Sequence, residues 1–194
     1  MTNTIKTLIT TFILLLSGYA QAAFEIKEIP KKHIDVRYDG KVVARVMTAY
    51  DEATDETKHE TYKVYTHIFD EHGKAPITKG AGGAFTHQRG ILLGWSKTRF
   101  SGKTVDSWHM NGCVQVYIMI IDSKADEKNA SLTILIQCIS SEGIVFIEEE
   151  STQVFRNLSD KGLFLEVDFK TTLKAPHVEV ELNGDPEHAG CQFR

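Results

Sequence analysis

The chain has 194 residues, a formal net charge of −4 and 42% apolar residues. It is long enough for one domain with a real core, and it lacks the clustered Lys and Arg that a nucleic-acid partner would demand. Its three cysteines, Cys113, Cys138 and Cys191, contain no CxxC pair, which excludes a structural zinc site of ordinary spacing.

Residues 1–22 read as a secretory signal peptide. Lys6 supplies the positive start, LITTFILLLSGYA the apolar run, and Ala20-Gln21-Ala22 an A-x-A cleavage site. The run is too short to span a bilayer comfortably, and no other stretch approaches that length. Residues 23–194 are expected to form a single domain, periplasmic or secreted, with no membrane contact after cleavage. Export permits a disulfide, but an odd cysteine count cannot all pair internally. Cys138, inside LTILIQCI, reads as a small buried hydrophobe.

After residue 23 the pattern is that of strands. HIDVRYDGKVVARV is a hairpin whose Asp39-Gly40 pair suits a turn of positive φ. DEATDETKHETYK has no apolar stripe and reads as a polar loop. SLTILIQCIS and GIVFIEEESTQVF flank a turn at Ser141-Glu142-Gly143. LFLEVDFKTTL alternates, with Leu163, Leu165, Val167 and Phe169 on one face and Glu166, Asp168 and Lys170 on the other. HVEVEL repeats the alternation with Val178, Val180 and Leu182 inward. Further turns fall at 126–129, 157–162 and Asn183-Gly184. Period two with polar alternates means antiparallel strands with one wet face. The expected fold is all-β, an antiparallel β-sandwich of large twisted sheets.

The stretch from Tyr65 to Trp108 differs. It is rich in glycine, which serves where backbone turns sharply or approaches something closely. It also carries His67, His72, His87, Arg89, Trp95 and Trp108, with His109 next. A glycine-rich loop bearing imidazoles, a guanidinium and indoles on a β scaffold is a common way to build a binding cleft.

Within it, His87 and Arg89 would point the same way if extended, and together suit an anionic or hydroxyl-rich ligand. The bland alternative is an exposed loop histidine beside a structural arginine. Trp108 with His109 is either a sugar-stacking platform or a core tryptophan with a neighbouring imidazole. In DPEHAG, Pro186 stiffens the approach to His188, Gly190 permits a tight exit, and Asp185 and Glu187 are placed to orient or tune the ring. His33, His59, His72 and His177 read as surface residues. The expected site residues are therefore His109, His188 and Glu187 as catalytic, and His87, Arg89, Trp108 and Asp185 as substrate-binding. The whole assignment requires His87, His109 and His188 to meet at one pocket. No local pair such as HExxH fixes a metal, and no dinucleotide, P-loop or GxSxG fingerprint is present.

HETYKVYTHIFD, PITKGAGGAFTHQRGILLGWSK, WHMNG and DPEHAGCQFR together resemble the bacterial PmoA family, a domain of unknown function carrying the label "methane oxygenase PmoA". The resemblance covers nearly all of residues 23–194. Two positions depart from the family pattern: Gln88 and Tyr117 stand where the family has histidines. Members continue beyond GCQFR, so the resemblance implies a C-terminally truncated member, its sandwich incomplete and DPEHAGCQFR an interior strand. Genuine methane monooxygenase subunits are bundles of spanning helices, which this composition does not provide. The family's all-β character is instead similar to a mutarotase-like supersandwich, in which histidines and a carboxylate work on a sugar ring. The expected function is an exported, carbohydrate-related activity on a small-molecule or carbohydrate ligand. The alternatives are a non-catalytic glycan- or protein-binding module and, third, a metal-dependent oxygenase.

Overall fold

A computed structural model describes residues 23–158 and 164–194. The expected signal segment, residues 1–22, lies outside the described residues, as do Leu163 and part of the 157–162 turn. The described chain is all-β, with one short helix.

The first sheet is antiparallel and holds six strands: β1 (Phe24–Ile29), β2 (His33–Tyr38), β3 (Lys41–Met47), β4 (Tyr65–Ile68), β5 (Ile91–Trp95) and, at the far edge, β13 (Ala189–Phe193). The expected β2–β3 hairpin forms, and its turn uses Asp39 at φ 50° and Gly40 at φ 74°, the twist that a two-residue hairpin loop requires. Three long strands with a fourth partner make the second sheet: β8 (Cys113–Ala125), β9 (Asn129–Ser140), β10 (Val145–Asn157) and β11 (Leu165–Lys174), ordered β11-β10-β9-β8. A small third sheet joins β6 (Lys97–Phe100), β7 (Lys103–Val105) and β12 (Val180–Asn183).

The alternation in β9 is strict: Leu132, Ile134, Ile136 and Cys138 point inward. Leu132, Ile134 and Ile136 meet Ile34 and Val46 of the first sheet, while Phe155 of β10 packs with Val36, Ala44 and Ile68. Burial of such rows at about 25 cal/mol per Å² holds the two sheets face to face. Phe100 stacks on Phe146 at a centroid separation of 4.6 Å and seats the small sheet against β10. Cys113 and Cys138 are buried and all three described cysteines are free thiols.

Two expectations need correction. DETKHET is a helix, α1 (Asp55–Thr61), not a loop. Its side chains are not buried; Thr54 caps it, accepting from the Thr57 backbone while Thr57 reaches back, and Asp55 and Glu56 suit the positive end of its dipole. Leu182 is not an inward residue. β12 begins at Val180 and pairs only with β6, leaving Leu182 exposed.

Candidate functional site

Three segments converge beside β5, and each carries one of the three histidines. The loop before β5 brings His87. The turn between β7 and β8 brings His109. The turn before β13 brings His188, because β13 pairs with β5 through Ala189↔Trp95 and Gly190↔Gly94, and the His188 carbonyl accepts from the Ser96 amide at 2.9 Å.

Gly94 makes this assembly possible. A Cβ there would lie 2.6 Å from the Ser107 carbonyl oxygen, so only glycine lets the 106–109 turn rest on the strand. The Trp95 amide donates to Ser107 Oγ at 3.0 Å and the Trp108 amide to the Trp95 carbonyl at 3.2 Å, which fix the turn in place.

The imidazoles meet as the assignment required. Ring centroids of His87 and His109 are 4.3 Å apart, and those of His109 and His188 are 5.2 Å apart. His109 Nδ1 lies 2.7 Å from Asp106 Oδ2, and His188 Nδ1 lies 2.7 Å from Asp185 Oδ1, each carboxylate three positions earlier in the chain. An ionised carboxylate only accepts, so each neutral ring carries its proton on Nδ1 and presents a lone pair at Nε2. The carboxylates are themselves anchored. Asp106 Oδ1 accepts from the amides of Trp108 and His109, and Asp185 Oδ1 from that of Glu187. The hydrogen bond from His188 holds the Asp185 carboxyl below the ordinary range. His109 and His188 keep 33% and 29% of their side-chain surface exposed, enough for a ligand to reach them.

His87 has no carboxylate of its own. Burial, then the neighbouring His109, Lys63 and His188, pushes its pKa down to about 4, so it is a neutral donor and acceptor at neutral pH. Lys63 lies behind the cluster, sealed from solvent, and donates to the Trp108 carbonyl at 2.6 Å and the His87 carbonyl at 3.2 Å. Burial, then the Arg89 charge, pulls it down to about 7.

The remaining assigned residues are placed differently. Arg89 is fully buried. Its guanidinium donates at 2.7 Å to the carbonyls of Thr86, Glu60 and His59, and it lies 4.5 Å from the Tyr62 ring centroid. It ties the end of α1 to the His87 loop and presents no surface to a ligand. Trp108 is also fully buried, forming the floor beneath His188 with an edge-to-face contact at 5.6 Å. Its indole N–H has no partner among the described residues. Glu187 is exposed, and it is Asp185, not Glu187, that backs His188. His67 lies apart, buried against Thr78, and His72 is exposed.

Asp106 and Lys63 went unread in the sequence. A signal for Asp106 was there: Asp106-Ser107-Trp108-His109 and Asp185-Pro186-Glu187-His188 share one Asp-x-x-His spacing. Nothing local marked Lys63.

An open cleft of about 580 Å³ begins at His109 and runs between α1 and the start of β8. Tyr50, Glu52, Lys58, Asn111 and Ser141 are among its walls, together with the apolar Met110, Val114, Val116 and Ile139. Among the described residues no group of three or more His, Cys, Asp or Glu is arranged to hold a metal ion. No described helix is long and apolar enough to cross a membrane.

A family profile described as a family of unknown function (DUF6807) matches residues 33–194. No curated protein and no protein of solved structure matches the chain. Because the matched segment covers well over half of the chain and takes in the three clustered histidines, the chain belongs to the family of unknown function DUF6807.

Proposed function

We propose that this protein is an exported enzyme that moves protons on a hydroxyl-rich, carbohydrate-class ligand, with His109 and His188 as the acid–base pair. The observation that carries the reading is the pair itself: two carboxylate-backed imidazoles 5.2 Å apart, of which His109 also lines the cleft. Export rests on the apolar run and A-x-A motif of residues 1–22, and the carbohydrate class on the cleft lining together with the PmoA-family resemblance.

The chemistry follows from the tautomers. One ring, neutral, takes the proton of a sugar's anomeric hydroxyl at Nε2. The other, protonated, gives its Nε2 proton to the ring oxygen, and the ring C–O bond breaks as the carbonyl forms. No net proton is gained. The two rings have then exchanged protonation states, so the reverse steps close the ring on either face. Asp106 and Asp185 stabilise whichever imidazolium is present, and such proton transfer contributes roughly 10²–10⁴-fold in rate. His87, neutral, would hydrogen-bond a hydroxyl of the ligand.

The test follows anomer interconversion of a panel of reducing sugars by polarimetry and NMR. Wild-type protein should accelerate at least one sugar. His109→Asn and His188→Asn should each lose about 10²–10⁴ of that rate while retaining binding. Saturable binding with no acceleration of any sugar would replace the enzyme with a glycan-binding module.

A further inference from the structure

We propose that Lys63 is the positioning residue of the imidazole cluster: by holding the carbonyls of His87 and Trp108 on one ammonium, it sets His87 against His109. The two carbonyls come from separate segments, the loop before β5 and the β7–β8 turn, and Lys63 itself comes from a third, between α1 and β4. A single cation therefore closes a joint that no backbone hydrogen bond between those two loops spans in the described structure. The Nζ lies 5.8 Å from the Trp108 ring centroid, within reach of a cation–π contact with the indole.

Burying an ammonium costs several kcal/mol, and a lysine kept in such a place without a paired carboxylate calls for an explanation. Its charge has an effect that a neutral donor would lack. Three imidazoles this close cannot all be charged. Lys63 faces Arg89, Asp106, Cys113 and Cys138, while His87 faces His109, His188, Asp106 and Lys63. Two cations thus stand on the inner side of the cluster, and neither has a carboxylate bonded to it. Protons are driven away from His87, the ring of the three that has no carboxylate bonded to it. Only in its consequence for turnover does this inference rest on the proposed acid–base reading; its test reads the rings directly.

The experiment is an NMR titration of the histidine Cε1 and ring ¹⁵N signals in the full described domain, with ring-to-ring NOEs. In the wild type, His87 should titrate last on acidification. Folded Lys63→Met should raise the His87 midpoint by about one pH unit or more and lose the His87–His109 NOE. Lys63→Gln, which keeps donors without charge, should raise the midpoint but retain the NOE. A purely structural lysine would lower thermal stability and leave the His87 midpoint where it was, and an unchanged midpoint in either folded variant overturns the proposal. If neither variant folds, the wild-type Lys63 ammonium is titrated instead. The His87 and His109 signals should then move at the Lys63 midpoint, and rings that stay still through it overturn the proposal equally. Loss of sugar turnover without these ring effects would bear on the acid–base reading alone.

Discussion

Asp106 is to His109 what Asp185 is to His188: a carboxylate three positions earlier that takes the Nδ1 hydrogen at 2.7 Å and accepts a local backbone amide as well. The two turns are far apart in sequence and come from different sheet connections. They give the same device twice, aimed so that the rings sit 5.2 Å apart. The first prediction is that Asp106→Asn reverses the tautomer preference of His109. Ring ¹⁵N shifts should show an unprotonated Nε2 in the wild type and a substantial Nε2–H population in the variant. A wild-type Nε2–H form would break the assignment of roles.

Gly94→Ala should disturb the site from a distance. The added methyl meets the Ser107 carbonyl at 2.6 Å, and the Trp108 backbone lies close behind it. Overpacking of this kind costs roughly 1–3 kcal/mol. Thermal unfolding should show that loss, and the His109–His188 ring NOE should weaken with it.

The fold was largely legible in the sequence, because period-two alternation is a local signal and β9 follows it residue by residue. The convergence of His87, His109 and His188 was legible only as a requirement, since it depends on β13 pairing with β5. Arg89 shows where local reading stops. Its neighbours suggested a ligand donor, yet two of the three carbonyls it serves lie about 30 positions away, at the end of a helix that the apolar pattern could not reveal. That helix owes its existence to a cap and first-turn acids rather than to a buried stripe. Trp108 went inward because its indole fills the space beneath His188 that no segment of sequence describes.

Glu149 lies inside the sandwich, accepting from Thr171 at 3.1 Å, and burial raises its pKa from 4.5 to about 7. A raised carboxyl means the folded state holds a proton that the unfolded state has already released. Stability from this group is intact below pH 4.5, falls between about 4.5 and 7, and stays lower above that. The total is about 3 kcal/mol, order of magnitude only. Chemical denaturation across pH should show this decline, and Glu149→Gln should remove most of it.

Asp35 titrates with the opposite sign. It is buried on β2, and burial alone would raise its carboxyl, but hydrogen bonds from Arg45 at 2.6 and 3.2 Å and from Arg37 at 3.2 Å hold it below the ordinary range. Its contribution is present above the unfolded carboxyl pKa and is lost as pH falls through the depressed folded value. Asp35→Asn should cost about 2–3 kcal/mol in urea unfolding at neutral pH. That is below the range for sealed ion pairs, because both arginines keep some exposure.

The most direct measurement on the central claim is an NMR ligand screen with mono- and oligosaccharides, read on the Cε1–H signals of the three clustered histidines. At least one sugar should shift His109 and His188 together and saturably, with smaller changes at His67, which lies outside the cluster. Saturable sugar binding that leaves both carboxylate-backed rings unmoved would contradict that claim.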